Sequence, residues 1–263
     1  MTTSFSISDT AFASLDMQGA DTQALSPIYF LQRAAHVFAD KTAIIYGKRR
    51  LDYRCFYQRC RQLASALQRA GITPGQTVSV ICPNIPEMLE LHFAVPMTGA
   101  VLNTINTRLD APLIASILAH AETRLLFVDS EYSAVVEAAL ARLEHEIELV
   151  VIDDPNTKFG RPPRGVDYET FLASGDAAEA WVDLQDETHP LSLSYTSGTT
   201  WKSERCGLFT SRRGAECAWQ CDGDGIAITQ RVFVDIAVVS LQWLDASMGG
   251  NRRWRHAYLP AQH

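Results

Sequence analysis

The sequence predicts an α/β fold with a doubly wound, largely parallel sheet, and three observations carry that prediction. Strand-like and helix-like segments alternate from Thr42 to Asp153. Each strand–helix–strand unit has roughly the length that a right-handed crossover needs. The strand-like run IELVVID, Ile147 to Asp153, is almost continuously apolar, the pattern of a parallel sheet covered on both faces. At 263 residues, of which 47% are hydrophobic, the chain can bury a sizeable core.

Met1 to Ala24 is rich in Ser, Thr, Asp and Ala without periodicity and reads as a mobile leader. Order begins near Ser26, which can cap a helix whose first position Pro27 fills. Ile28, Leu31, Ala34, Ala35 and Phe38 mark its apolar face. Thr42 to Gly47 reads as a strand, Lys48, Arg49 and Arg50 as its exposed turn, and Leu51 to Tyr53 as the returning strand of a hairpin. Tyr53 to Ala70 turns Phe56, Cys60, Leu63, Ala64 and Leu67 inward, and Gly71 suits the left-handed position that ends a helix. Thr77 to Cys82 is a strand, and Glu87 to Thr98 a helix disturbed near Pro96 and closed by Gly99. Val101 to Ile105 is the next apolar stretch. Asp110 then caps a helix with Leu113, Ile114 and Ile117 inward, and Arg124 to Asp129 returns as a strand. Ser133 to Glu144 reads as helix. Asp154 to Thr188 is a polar excursion with one short helix, Tyr168 to Ala173, before the run LSLSYTSGTT.

Charge and composition exclude several classes. A net charge of −7 gives no broad attraction to nucleic acid or to an anionic membrane, so nucleic acid is set aside as a partner. No apolar run approaches the ~20 residues of a membrane helix. Met1 to Leu25 lacks the basic start and apolar centre of a signal peptide, which makes the cytoplasm the expected location. Cys55, Cys60, Cys82, Cys206, Cys217 and Cys221 show no paired framework. Cys217 and Cys221 with His256 and His263 fit no standard zinc spacing, and no metal site is expected there. Glu87, Glu90 and His92 share a helix, but His92 is two residues from Glu90 and points elsewhere, so a solvated helix face is expected. Cys55 and Cys60 read as small apolar packing residues, and His36 and His120 as partly exposed or hydrogen-bonded histidines.

The stretch after Tyr195 carries the chemistry. A phosphate needs several donors aimed at one point, and a turn of small residues after a strand supplies them from backbone N–H groups and hydroxyls. Thr196, Ser197, Gly198, Thr199 and Thr200 meet that demand: Gly198 lets the backbone approach, the hydroxyls add donors, and Lys202 adds a point charge. An ordinary structural turn has the same composition. The spacing is not that of a Walker loop, because Gly198 is followed by Thr199, Thr200, Trp201 and only then Lys202.

YTSGTT closely resembles the phosphate-binding motif of the AMP-forming adenylating enzymes, which include acyl-CoA synthetases, luciferases and peptide-synthetase adenylation domains. The likeness spans about Leu25 to Thr200, and PNIPEM with VLNTINTRLD makes it specific to acid–CoA ligases, resembling the bacterial medium- and long-chain type. The resemblance implies ATP, Mg²⁺ and coenzyme A as cofactors and a fatty acid as substrate. It implies that the carboxylate attacks the α-phosphate to give an acyl-adenylate, from which the thiol of coenzyme A displaces AMP. It also implies that the turn matching Thr196 to Thr200 holds the β- and γ-phosphates, which is positioning and electrostatic stabilisation of the departing pyrophosphate.

At Trp201 the chain departs from this pattern. The family continues with Gly, any residue, Pro-Lys-Gly, whereas here Trp201 replaces the glycine and Ser203, Glu204 and Arg205 follow. An indole crowds a phosphate and a carboxylate repels one. Residues 201–263 hold four of the five tryptophans and sustain no periodicity over two elements. A change of reading frame immediately after Thr200 accounts for this. Read one base later, the Trp201–Lys202 codons force a glycine. Val239 to Met248 can be read likewise as Phe-His-Tyr-Asn-Gly-Trp-Thr-His-Pro-Trp, resembling a downstream motif of these ligases. The expected organisation is therefore a leader at 1–24, a ligase subdomain at 25–200 that is inactive alone, and a poorly ordered out-of-frame tail at 201–263. Two alternatives stand beside it: a non-catalytic nucleotide-binding or protein-interaction module, and an unrelated nucleotidase with Asp129 or Asp153 as its Mg²⁺-binding acid on a neighbouring strand.

Overall fold

A computed structural model describes residues 26–154, 164–179, 182, 189–196, 204–210 and 217–221. The expected leader, and Ser197, Gly198, Thr199, Thr200 and Lys202 of the phosphate turn, lie outside the described residues, as do His256 and His263. Helices α1 (Pro27–Val37) and α2 (Tyr53–Arg69) flank a hairpin of β1 (Thr42–Tyr46) and β2 (Arg49–Asp52). Then follow β3 (Thr77–Ile81), α3 (Pro86–Met97), β4 (Val101–Thr104), α4 (Ala111–His120), β5 (Thr123–Asp129), α5 (Ser133–Leu140) and β6 (Glu148–Ile152). A two-residue strand β7 (Val166–Asp167), α6 (Tyr168–Ala173), β8 (Pro190–Thr196), β9 (Glu204–Thr210) and β10 (Cys217–Cys221) complete the order.

The large sheet runs β10-β9-β8-β4-β3-β5-β6-β7. Strands β3 to β8 pair in parallel, and β9 and β10 add antiparallel at one edge. Alternation along each strand divides the core. Val78, Val80, Leu125, Phe127 and Val150 pack with α1, α2, α3 and α6, while Ile81, Leu126 and Val128 pack with α4 and α5. The expected doubly wound sheet is thus observed: β3 is central, β4 lies to one side of it and β5 to the other, with helices on both faces.

Local chemistry sets the boundaries. Ser26 caps α1, Asp52 caps α2 through the Cys55 N–H at 2.7 Å, and Asp110 caps α4 through the Leu113 N–H at 3.1 Å. Helix α2 ends as Gly71 requires. With φ at +83°, Gly71 donates its N–H to the Gln68 carbonyl, and the Ile72 N–H reaches back to Leu67, which satisfies two of the free carbonyls.

Several expectations are corrected. Arg49 and Arg50 are strand residues opposite Tyr46 and Ile45, leaving Gly47 and Lys48 as a two-residue turn, for which Gly47 supplies a φ of +56°. Leu113 is 43% exposed, because the buried stripe of α4 is Ile114, Ile117 and Leu118 and Leu113 sits at its margin in the first turn. Helix α5 stops at Leu140 rather than Glu144. Helix α3 contains Pro96 and ends one residue after it, at Met97. Glu87 and Glu90 are buried, not solvated, because cations from α2 and β2 reach them. Of the segment expected to be a poorly ordered tail, the described residues are those of β9 and β10, and β8 offers the open edge that β9 takes up.

Candidate phosphate site

Strand β8 ends at the carboxyl edge of the parallel sheet, beside β4, and the residues expected to bind phosphate follow it in sequence. In open α/β sheets that edge is where ligands bind, next to the point where the winding reverses direction. Thr196 is the last residue of β8, and Glu204, the first of β9, is its antiparallel partner. The expected phosphate residues Ser197, Gly198, Thr199 and Thr200, with Lys202, therefore belong to the loop that this pair closes.

Three ties hold β8. Its ladder to β4 consists of Leu102 opposite Ser192 and Asn103 opposite Leu193. At its start, His189 Nε2 lies 2.7 Å from the Gly99 carbonyl, next to the α3–β4 turn. At its end, the Tyr195 hydroxyl and His120 Nδ1 share a hydrogen bond of 3.2 Å, and the two rings meet edge to face at 5.8 Å and 61°. Beneath β4 the sheet carries a buried polar chain. Asn103 Nδ2 donates to Ser79 Oγ at 2.8 Å, and Ser79 Oγ is 2.7 Å from Thr123 Oγ1, which links β4, β3 and β5. Tyr195 and His120 are 75 residues apart, and no spacing rule pairs them.

The other candidates separate from this site. Asp129 ends β5 and Asp153 follows β6, so neither is on a strand neighbouring β8, as the nucleotidase alternative requires. Asp129 is fully buried. Its Oδ1 accepts from the Glu131 N–H at 2.9 Å, while Oδ2 has no partner among the described residues. Burial, followed by the charges of Asp154, Glu131 and Asp153, pushes its carboxyl up to about 6. A cavity of about 770 Å³ opens between the β1–β2 turn and the carboxyl ends of β6 and β7. Glu87, Asp153, Asp154, Asp167 and Glu169 outnumber the cations in its described lining, so it repels phosphate.

Glu87, Glu90 and His92 serve packing. Arg59 donates to both Glu90 oxygens, at 2.6 and 3.2 Å, and also to Glu169, while Tyr168 donates to Glu90 at 2.6 Å. Arg49 pairs with Glu87. Burial pushes the Glu90 carboxyl up, and Arg59 and Tyr168 oppose that. The His92 Nδ1 lies 2.8 Å from the Met88 carbonyl, and burial lowers its pKa. Burial raises the thiols of Cys60 and Cys82, so Cys60 is the apolar packing residue expected and neither is a nucleophile at neutral pH. Cys217 and Cys221 are both in β10.

The comparisons with known proteins give the family and the fold. A family model described as "AMP-binding enzyme" matches residues 31–202. A peroxisomal acetate/butyrate–CoA ligase of Arabidopsis thaliana is 41% identical over 208 residues, which are 74% of this chain and 36% of that protein. A probable acyl-activating enzyme 22 of the same plant is 37% identical over 259 residues, 92% of this chain and 47% of that one, an alignment that runs past Thr200. The crystal structure of an anthranilate–CoA ligase with anthranoyl-AMP matches with a TM-score of 0.65 at 22% identity, covering 72% of this chain and 35% of the other, and shows the fold. The chain spans between about a third and a half of the length of these proteins. The sequence likeness to bacterial medium- and long-chain ligases is not what these matches single out, since the relatives here are plant proteins and one is named for acetate and butyrate. With the family model covering well over half of the residues and ending within the loop after β8, the chain belongs to the AMP-binding enzyme family.

Proposed function

We propose that residues 25–200 are the phosphate-binding first part of an ATP-dependent acid–CoA ligase, and that the reading frame changes after Thr200. One observation carries the reading: β8 ends beside β4 at Thr196, which pairs with Glu204, and the sequence between the two holds the small hydroxylated residues. The donor set fits phosphate. Thr196, Ser197, Thr199 and Thr200 contribute hydroxyls, Gly198 permits close backbone approach, and Lys202 contributes charge. ATP bound there with Mg²⁺ supplies the activated phosphoryl group and the pyrophosphate leaving group. In this reading the chain's own residues hold the outer phosphates, and the parallel sheet anchors β8, the strand that leads into them. The substrate class is a monocarboxylic acid, fatty acids included, with coenzyme A as acceptor. The resemblance supports longer acids, and the relative named for acetate and butyrate supports shorter ones.

The frame change rests on codons. Synonymous choices for Trp201-Lys202-Ser203-Glu204-Arg205-Cys206 exist that read, one base later, as Gly-Asn-Pro-Lys-Gly, the continuation that the resemblance requires. The first glycine is independent of codon choice. A second reading has its own support, since the alignment to acyl-activating enzyme 22 extends beyond Thr200 in the frame as written and favours a divergent but homologous continuation.

Titration of the 263-residue chain with tripolyphosphate tests the grip. Binding that Gly198→Val abolishes is the expected result, and no binding by the wild type contradicts it. Pyrophosphate release from MgATP with butyrate or a longer fatty acid is expected to stay at the no-protein blank. Release above that blank contradicts the proposed inactivity of these residues alone.

A further inference from the structure

We infer that the groove between α1 and α2 docks a short acidic peptide segment of a partner protein. The groove, about 680 Å³, is walled by one face of each helix. Tyr29, Gln32, Arg33 and His36 come from α1, and Arg54, Tyr57, Gln58 and Arg61 from α2. Both sets follow the spacing i, i+3, i+4, i+7, so each is a single stripe about two turns long. The described lining holds three arginines and a histidine and no carboxylate, on a chain whose net charge is −7.

These cations are open to a ligand. Arg33 and His36 are exposed, and among the described residues no carboxylate pairs with either of them or with Arg61. Arg61 is held in place. It donates to the Ala178 and Glu179 carbonyls at 3.2 and 2.9 Å, and its guanidinium lies 5.8 Å from the centre of the Tyr57 ring. The Glu179 carboxylate accepts from Arg69 and Ser65 instead, which leaves the Arg61 charge uncompensated. Arg54 pairs with Asp40 at 2.8 Å, but both side chains are exposed, and such a pair exchanges readily for a ligand carboxylate.

The layout selects the occupant. A single phosphate needs donors that converge on one point, whereas Arg54 and Arg61 stand at i and i+7, about 10 Å apart along the helix axis. Nucleic acid and an anionic membrane present extended charge to the whole protein, and its net negative charge opposes both. A short peptide meets only the groove. Carboxylates spaced along it match the cations, Gln32 and Gln58 can bond its backbone, and Tyr29 and Tyr57 supply aromatic surface for an apolar side chain.

Fluorescence anisotropy of the full chain at low salt, with a labelled peptide of eight glutamates around one phenylalanine, tests this. Saturable binding that weakens as salt is raised is expected. Arg33→Glu should weaken it about tenfold, because an attraction becomes a repulsion, and His36→Gln about twofold. Lys48→Glu makes the same change of net charge at an exposed position outside the groove and should alter binding less than about twofold. Melting temperatures of Arg33→Glu and Lys48→Glu should match the wild type, since both side chains are exposed. No saturable binding by the wild type, or equal losses in Arg33→Glu and Lys48→Glu, overturns the proposal. So does tripolyphosphate or a single-stranded oligonucleotide that binds tighter than the peptide and loses affinity in Arg33→Glu, since the groove would then be a phosphate site.

Discussion

The centre of the sheet and its β8 edge are built by different means. β3 lies between two parallel neighbours, paired with β4 over four residue pairs and with β5 over five, with a register shift after Thr77, and side chains from both core clusters cover it. β8 shares two residue pairs with β4 and is otherwise held by His189, by Tyr195 and by its hairpin with β9. Stability resides in the first region and the candidate phosphate chemistry at the rim of the second. Substitutions in the body should therefore change global unfolding, and substitutions at the edge should change binding with little effect on unfolding.

The largest expected effect breaks the body. Glu90→Ala removes one partner of a buried ion pair, leaves Tyr168 without its acceptor and Arg59 with Glu169 alone, and should cost about 3–5 kcal/mol in urea unfolding. A loss below about 1 kcal/mol would place the network outside the cooperative core.

Asp129 gives the next effect. Its folded pKa, about 6, is above the ordinary 3.8, so the folded state binds the proton more tightly than the unfolded chain. This contribution is complete below the unfolded pKa and is lost as pH rises through the folded one, by roughly 3 kcal/mol for a shift of about two units. Stability should fall between about pH 4 and pH 6 on this account. Asp129→Asn keeps the acceptor for the Glu131 N–H, should flatten that slope, and should stabilise the protein at pH 7. A slope identical in the variant would contradict the assignment. Asp110→Ala, which removes the cap of α4, should cost about 1 kcal/mol.

The smallest effect belongs to the edge and sharpens the contrast. Glu204 stands opposite Thr196, so Glu204→Gln should strengthen tripolyphosphate binding about twofold to fivefold at low salt, through relief of repulsion, and leave unfolding unchanged. Equal binding at all salt concentrations would show that this carboxylate does not face the turn.

The architecture was legible wherever periodicity and caps spoke together. Ser26, Asp110, Gly71 and the apolar runs at Thr77, Arg124 and Ile147 placed elements that the structure shows within a few residues. The run Thr196 to Thr200 stands out by composition and owes its phosphate reading to the resemblance, while the position of Thr196 at the carboxyl edge follows from β8 pairing in parallel with β4. The buried network around Glu90 was not legible. A helix surface bearing two glutamates looks solvated until Arg59 from α2 and Tyr168 from α6 arrive, 31 and 78 residues away in the chain. The tie between His120 and Tyr195 was hidden for the same reason, since contacts across a crossover leave no local pattern. The split of the hairpin at Gly47 and Lys48 was misjudged because three consecutive basic residues suggested an exposed turn, while a glycine with positive φ needs only one companion to close it.

The central claim is that a phosphate-gripping turn after β8 is parted from its proper continuation at the junction of Thr200 and Trp201. Determining the nucleotide sequence across that junction tests it most directly. The account predicts that the frame one base later opens on Gly-x-Pro-Lys-Gly and continues without a stop codon through the stretch encoding Val239 to Met248. A stop codon in that frame, or codons for Ser203 to Arg205 that cannot give Pro-Lys-Gly, would contradict it.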